Sequence, residues 1–173
     1  AEGTAKLKAF GADLIVALGG GSAMDCAKAM AFFSKGDAKL VAIPTTSGSG
    51  SEVTDFAILT HNKVKHPLVD KRLRPCMAIL DSDLLQEMPA SLIADSGFDV
   101  LTHAVEAYVA TGAGAFSDML AQEAFRSAYG ALPASFAGRK EVRLKVHQAA
   151  TMAGMAFTQA GLGLCHAMAH ALG

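Results

Sequence analysis

Six residues, Asp13-Leu14-Ile15-Val16-Ala17-Leu18, run directly into Gly19-Gly20-Gly21-Ser22, and this junction limits the folds open to the chain. A short, nearly all-apolar run reads as a strand buried on both faces of a parallel sheet. The residues after the glycines, Ala23 to Met30, read as a helix. Strand, glycine turn and helix in that order form an arrangement that binds phosphate. Glycines let the backbone approach an anion, and the helix N-terminus offers free N–H groups and a positive dipole end. The spacing is neither the G-x-G-x-x-G fingerprint nor a P-loop. A tight strand-to-helix turn that holds no ligand is the plainer alternative.

The rest of the first half supports an α/β reading. Ala5 to Phe10 is a helix end, with Gly11 as its stop. Lys39 to Ile43 is a second buried strand, followed by the loop Pro44-Thr45-Thr46-Ser47-Gly48-Ser49-Gly50-Ser51-Glu52-Val53-Thr54. Hydroxyls and glycines at a strand's C-terminal end lie where α/β sheets bind ligands. Phe56–Thr60 and Lys63–Val69 form a hairpin about His61-Asn62, and Cys76 to Leu80 is a further buried strand. After Pro89 the texture changes. Ala90–Ala110, Phe116–Phe136 and Glu141–Gln159 carry helical patterns, and a fourth begins at Leu162. The boundary falls near residue 88, with an α/β part over 1–88 and an all-helical part over 89–173.

Charge and cysteine usage exclude several classes. The chain has 173 residues and a net charge of −1 with no basic run, so neither nucleic acid nor an anionic membrane is an expected partner. No apolar stretch reaches the roughly 20 residues of a membrane span. Cys26, Cys76 and Cys165 are odd in number and far apart, which reads as reduced thiols in a cytoplasmic protein. The polar start without a methionine and the end in mid-pattern predict a piece of a longer protein.

In the helical part, Gly97 opens an apolar run in which Leu101, Val105 and Tyr108 share one helix face. Asp99 and His103 stand four apart, so their side chains can grip one ion together. A carboxylate oxygen and an imidazole nitrogen suit a divalent first-row metal. Charged groups in so apolar a setting are rare unless paired or metal-bound. The late segment Gly161-Leu162-Gly163-Leu164-Cys165-His166-Ala167-Met168-Ala169-His170 offers a third ligand. An ordinary buried Asp–His pair is the alternative.

Taken together, GGGSAMDCAK (19–28), IPTTSGSGSEVT (43–54), Lys65–Pro67, Ala78–Asp83, GFDVLTHAVEAY (97–108) and AGMAFTQAGLGLCHAMAHALG (153–173) resemble the iron-containing (group III) alcohol dehydrogenases. The resemblance spans nearly the whole chain and points to the enzymes of ethanolamine and propanediol utilisation. It implies a Rossmann-like dinucleotide-binding α/β domain followed by a helical metal-binding domain, a dehydroquinate synthase-like architecture cut at both ends. It implies that Asp99, His103 and His166 ligate Fe(2+) or Zn(2+), with a fourth ligand beyond Gly173. Gly20, Gly21, Ser22 and Asp25 match the family's pyrophosphate turn. Thr45, Thr46, Ser49 and Lys65 match its other contacts to the cofactor, NAD or NADP. His170 matches a histidine beside the substrate, with a proton-relay or positioning role. His61, His66 and His147 have no match and read as surface or structural. The implied reaction interconverts a short primary alcohol and its aldehyde in a cytoplasmic homo-oligomer. A zinc polyol dehydrogenase, a dehydroquinate-synthase-like enzyme or a non-catalytic cofactor-binding fragment are the rival readings.

Overall fold

A computed structural model of the chain describes residues 2–62 and 64–172. Helix α1 (Glu2–Phe10) stops at Gly11, whose φ of +65° a glycine adopts without strain. Strand β1 (Leu14–Gly19) pairs in parallel with β2 (Lys39–Pro44), in register from Leu14↔Lys39 to Gly19↔Pro44. Helix α2 (Gly21–Ser34) makes the crossover between them. Strands β3 (Phe56–His61) and β4 (Val64–Val69) form the expected antiparallel hairpin. Lys63, placed in its second strand by the sequence, lies outside the described residues. Strand β5 (Met77–Ala78) joins the first sheet beside β2, giving the order β1-β2-β5.

The remaining elements are helices: α3 (Ala90–Val109), α4 (Ala115–Phe136), α5 (Arg143–Ala160) and the short α6 (Leu164–Leu172). Small side chains let α3, α4 and α5 pack closely, around Val100, Ala104, Ala124, Ala128, Ala149, Ala150 and Ala153. Gly97 belongs to this packing. It lies inside α3, and a β-carbon there would come within 2.2 Å of a Leu132 methyl. No helix among the described residues is long and apolar enough to cross a membrane.

Two sequence expectations give way to the tertiary arrangement, and the helix face that carries Val105 and Tyr108 proves to be the outer one. Strand β1 is not buried on both faces: Ile15 and Ala17 point into a core with Met24, Ala27, Leu40 and Ala42, while Leu14, Val16 and Leu18 are about half exposed. The same continuous apolar run is compatible with one or two covered faces, and here one face is covered. The third sheet strand is shorter than its apolar run and sits at the sheet edge, with Met77 and Ile79 exposed. On α3 the inward stripe is Ile93, Gly97, Val100, Ala104 and Ala107, whereas Val105 and Tyr108 face outward. The cysteines are free, as expected, and all three are exposed.

What joins the sheet to the helices is polar. Lys28, fully buried on α2, donates from Nζ to the Thr54 carbonyl (3.0 Å), Thr54 Oγ1 (3.0 Å) and the Phe56 carbonyl (2.8 Å). Asp25 accepts from Ser51 Oγ at 2.6 Å and from the Ile58 backbone N–H at 2.9 Å. Across to α5, Thr151 Oγ1 donates to Glu52 Oε1 at 2.6 Å, and Ser47 Oγ meets His147 Nδ1 at 2.9 Å. Gly50 and Gly154 touch through their backbones: a β-carbon on Gly154 would lie 2.9 Å from the Gly50 carbonyl oxygen.

Candidate functional site

The glycine turn and the hydroxyl loop form one cradle. Thr45 N–H donates to the Gly19 carbonyl at 2.9 Å, which brings the two strand ends together. Thr46 then packs on Gly20 and Ser49 on Gly21: a β-carbon at Gly21 would lie 2.8 Å from Ser49 Oγ. Ser22 is exposed in the first turn of α2, where the leading N–H groups lack intrahelical acceptors. Asp25 stands one turn further in, and both its oxygens are engaged by the protein itself. Its carboxylate therefore ties the loop and hairpin to α2 from beneath the turn.

The second cluster grows from α3 and α6. Asp99 and His103 lie one turn apart, with Asp99 Oδ1 3.7 Å from His103 Nε2. The break at Gly161 and Gly163 lets α6 double back, and this places His166 Nε2 3.4 Å from the same Asp99 oxygen. One ligating atom from each of the three residues falls within 4.8 Å of the others. The two imidazoles are stacked, 4.3 Å apart at 15°. Separations of 3.4 and 3.7 Å are long for hydrogen bonds. Two ligands each about 2.1 Å from a shared tetrahedral ion stand about 3.4 Å apart, so the spacing and the O,N,N donor set fit a divalent metal.

Electrostatics separate the two rings. Burial pushes His103 down to about 4, so it is neutral at ordinary pH and able to ligate. His166 is raised, first by its interaction with Asp99 and, against some desolvation, by Glu106. Desolvation opposes ionisation of Asp99, but His166 and the neighbouring histidine charges outweigh it and lower its pKa. Asp99 is less enclosed than its apolar sequence setting implies: its side chain is 41% exposed, against 7% for His103.

Two cavities meet at this cluster. One, of about 360 Å³, has Asp99, His103 and His166 on its wall with Phe56, Pro67, Phe157 and Leu162; His170 also lines it. The other, of about 480 Å³, is open between Gly21, Thr46 and Ser49 on one side and Ser96, Asp99 and Thr102 on the other. Asp99 and Ser49 line both. Lys65 lies on β4, within electrostatic reach of His170, whose pKa falls through desolvation first and the His166 and Lys65 charges next. His61 and His66 are exposed on the hairpin, and His147 is fully buried.

Glu106 is the residue that the sequence reading passed over. It lies seven residues after Asp99 and three after His103, so the helical repeat alone put it on their face. Its carboxylate lies 2.5 Å from His166 Nδ1 and accepts the Cys165 backbone N–H at 2.7 Å.

Comparison with known proteins agrees along the whole chain. The profile described as iron-containing alcohol dehydrogenase matches residues 1–82, and that of the C-terminal part of the Fe-containing alcohol dehydrogenase family matches residues 93–173. A 1-propanol dehydrogenase of Citrobacter freundii is 45% identical over 99% of the chain and 49% of its own length. The iron-containing alcohol dehydrogenase of Thermococcus thioreducens superposes with a TM-score of 0.94 at 42% identity, over 98% of this chain and 51% of that one. A sulfoacetaldehyde reductase from Bifidobacterium kashiwanohense, solved with NAD+, superposes at 0.92 and 32% identity, over 98% and 50%. The chain thus spans about half the length of the relatives it matches.

Proposed function

The chain belongs to the iron-containing alcohol dehydrogenase family, and from that premise we propose that it carries the catalytic centre of a metal-assisted NAD(P)-dependent dehydrogenase acting on short primary alcohols and their aldehydes. Residues 1–88 are read as part of the cofactor domain and 89–173 as part of the metal-binding domain. The observation that carries the proposal is the convergence of Asp99, His103 and His166 where a glycine- and hydroxyl-lined groove meets an apolar pocket.

A bound divalent ion, iron(II) or zinc, supplies Lewis acidity at the alcohol oxygen, and a bound nicotinamide supplies the hydride acceptor. The protein's part is placement. Gly20 and Gly21 leave room for a pyrophosphate at the α2 N-terminus, with Ser22 in the same turn. Thr45, Thr46 and Ser49 set hydroxyls along the groove that leads to Asp99. Asp25, on the wall of the pocket, holds that loop in place through Ser51. Phe56, Pro67, Phe157 and Leu162 keep water from the carbon that reacts. His170, across the pocket and held below the usual histidine pKa, exchanges a proton at its imidazole with the substrate side, and Lys65 disfavours its charged form. The pocket is small and apolar, which suits a short alkyl chain.

Thermal melting with and without added iron(II) or zinc tests the centre. The parent melts higher with metal, because the ion binds only the folded state, and His103→Ala loses that shift. Asp99→Asn keeps part of it. Fluorescence titration with NADH tests the groove: Gly21→Val abolishes binding by filling the space beside Ser49. Identical melting with and without metal in parent and His103→Ala would refute the centre. Oxidation of NADH against short aldehydes, in this chain and in one of the relatives' length, tests the activity.

A further inference from the structure

Glu106 is 8% exposed, and both its oxygens are used within the site: Oε2 against His166 Nδ1 at 2.5 Å and Oε1 on the Cys165 backbone N–H at 2.7 Å. Gly163 presses on it as well, since a β-carbon there would lie 2.8 Å from Oε1. An ionised carboxylate only accepts, so the nitrogen it faces carries a proton. That choice leaves the other nitrogen, Nε2, as the acceptor of a neutral His166 ring. Nε2 is the atom that faces Asp99.

The two histidines of the cluster are held by different means. His103 is wedged between the Phe157 ring, 4.6 Å away, and the His166 ring, 4.3 Å away. It sits mid-helix on α3, whose inner stripe is buried. His166 rides on α6, a nine-residue helix with no buried residue. Packing therefore fixes His103, whereas His166 depends on directional bonds. Among the described residues, Glu106 supplies the close ones, to the ring and to the backbone immediately before it.

We propose that Glu106 is the positioning residue of the metal centre: one carboxylate selects the metal-ligating tautomer of His166 and, through Cys165 N–H, docks the start of α6 on α3. This rests on reading Asp99, His103 and His166 as ligands. Partners of this kind orient ligating histidines, and their loss weakens metal affinity about 10- to 100-fold. Glu106→Gln disturbs the arrangement at unchanged size, because a single amide oxygen must now serve two N–H donors. Its NH2 group, turned toward His166 Nδ1, would select the opposite tautomer.

The test is cobalt(II) titration of the full chain, followed by absorption and by competition with a chromophoric chelator. Melting of the metal-free proteins and amide exchange along α6 are measured beside it. Glu106→Gln should bind cobalt about 10- to 100-fold more weakly than the parent. Glu106→Asp should recover part of the loss. Gly163→Ala keeps the carboxylate but crowds Oε1, and should weaken binding in the same direction by less. Equal affinity in parent and Glu106→Gln overturns the proposal, as does a loss of metal-free stability with affinity intact. Should Glu106→Gln fail to fold, unchanged affinity in Gly163→Ala overturns it instead. A parent that binds no cobalt overturns the metal-centre reading, and this inference with it.

Discussion

The core of the three long helices and the seam beneath residues 47–54 are buried alike and built differently. Ala124, Ala128, Ala149 and Ala153 are 0% exposed in the core, and Lys28 and His147 are 0% exposed in the seam. In the core the contacts are methyl against methyl, so the attraction is non-directional and each group contributes little. In the seam the buried charged groups hold specific partners, as Lys28 finds Thr54 and Phe56 and Glu52 finds Thr151. The core supplies bulk stability to α3, which carries Asp99 and His103. The seam sets where the hydroxyl loop lies relative to that helix. Directional bonds of this kind hold the loop at one position, where an apolar contact alone would let it slide.

Variants of Lys28 test this contrast with the largest expected effect. Lys28→Ala removes three hydrogen bonds and opens a cavity, at a cost of about 4 kcal/mol. Lys28→Met refills the volume without the bonds and should fall between that variant and the parent in urea unfolding. If Lys28→Met matches the parent, the seam adds geometry but no stability.

Acid comes next. Burial lowers His147 to about 4, against 6.5 when unfolded, so the unfolded chain takes up a proton first. This stability is complete above pH 6.5 and drains away between 6.5 and about 4, by about 3 kcal/mol in total. His103 acts in the same direction, whereas Glu52, raised chiefly by burial, gains stability as pH falls. The difference between parent and His147→Gln over that range isolates His147. A difference independent of pH would mean that its buried ring is not desolvated.

The core variant Ala128→Gly should cost about 1 kcal/mol, the helix-propensity difference, with little pH dependence. A pH-dependent loss there would erase the distinction between the two regions. The smallest effect belongs to the outer sheet face. Val16→Thr should change stability by less than about 0.5 kcal/mol, since Val16 is 56% exposed. A loss well above that would show that another layer covers this face in solution.

The sequence alone carried the element order, because a glycine turn after an apolar run and long helical periods bounded by Gly- and Pro-containing turns are local signals. It also set the Asp99–His103 pair, since a helix of known pitch fixes two residues four apart. The match of motifs to the family reached His166, which no local rule could join to α3 across some sixty residues. Three things were left to the tertiary structure. An apolar strand carries no mark of whether one or both of its faces are covered, so the exposure of Val16 and Leu18 was not legible. Lys28, Glu52 and His147 look like surface residues in one dimension, because their partners lie between 26 and 100 positions away. Glu106 stood on the right face of α3 all along, but an acid at i+7 is ordinary on any helix. It acquired a role only when the turn at Gly161 and Gly163 brought the His166 ring and the Cys165 N–H onto its two oxygens.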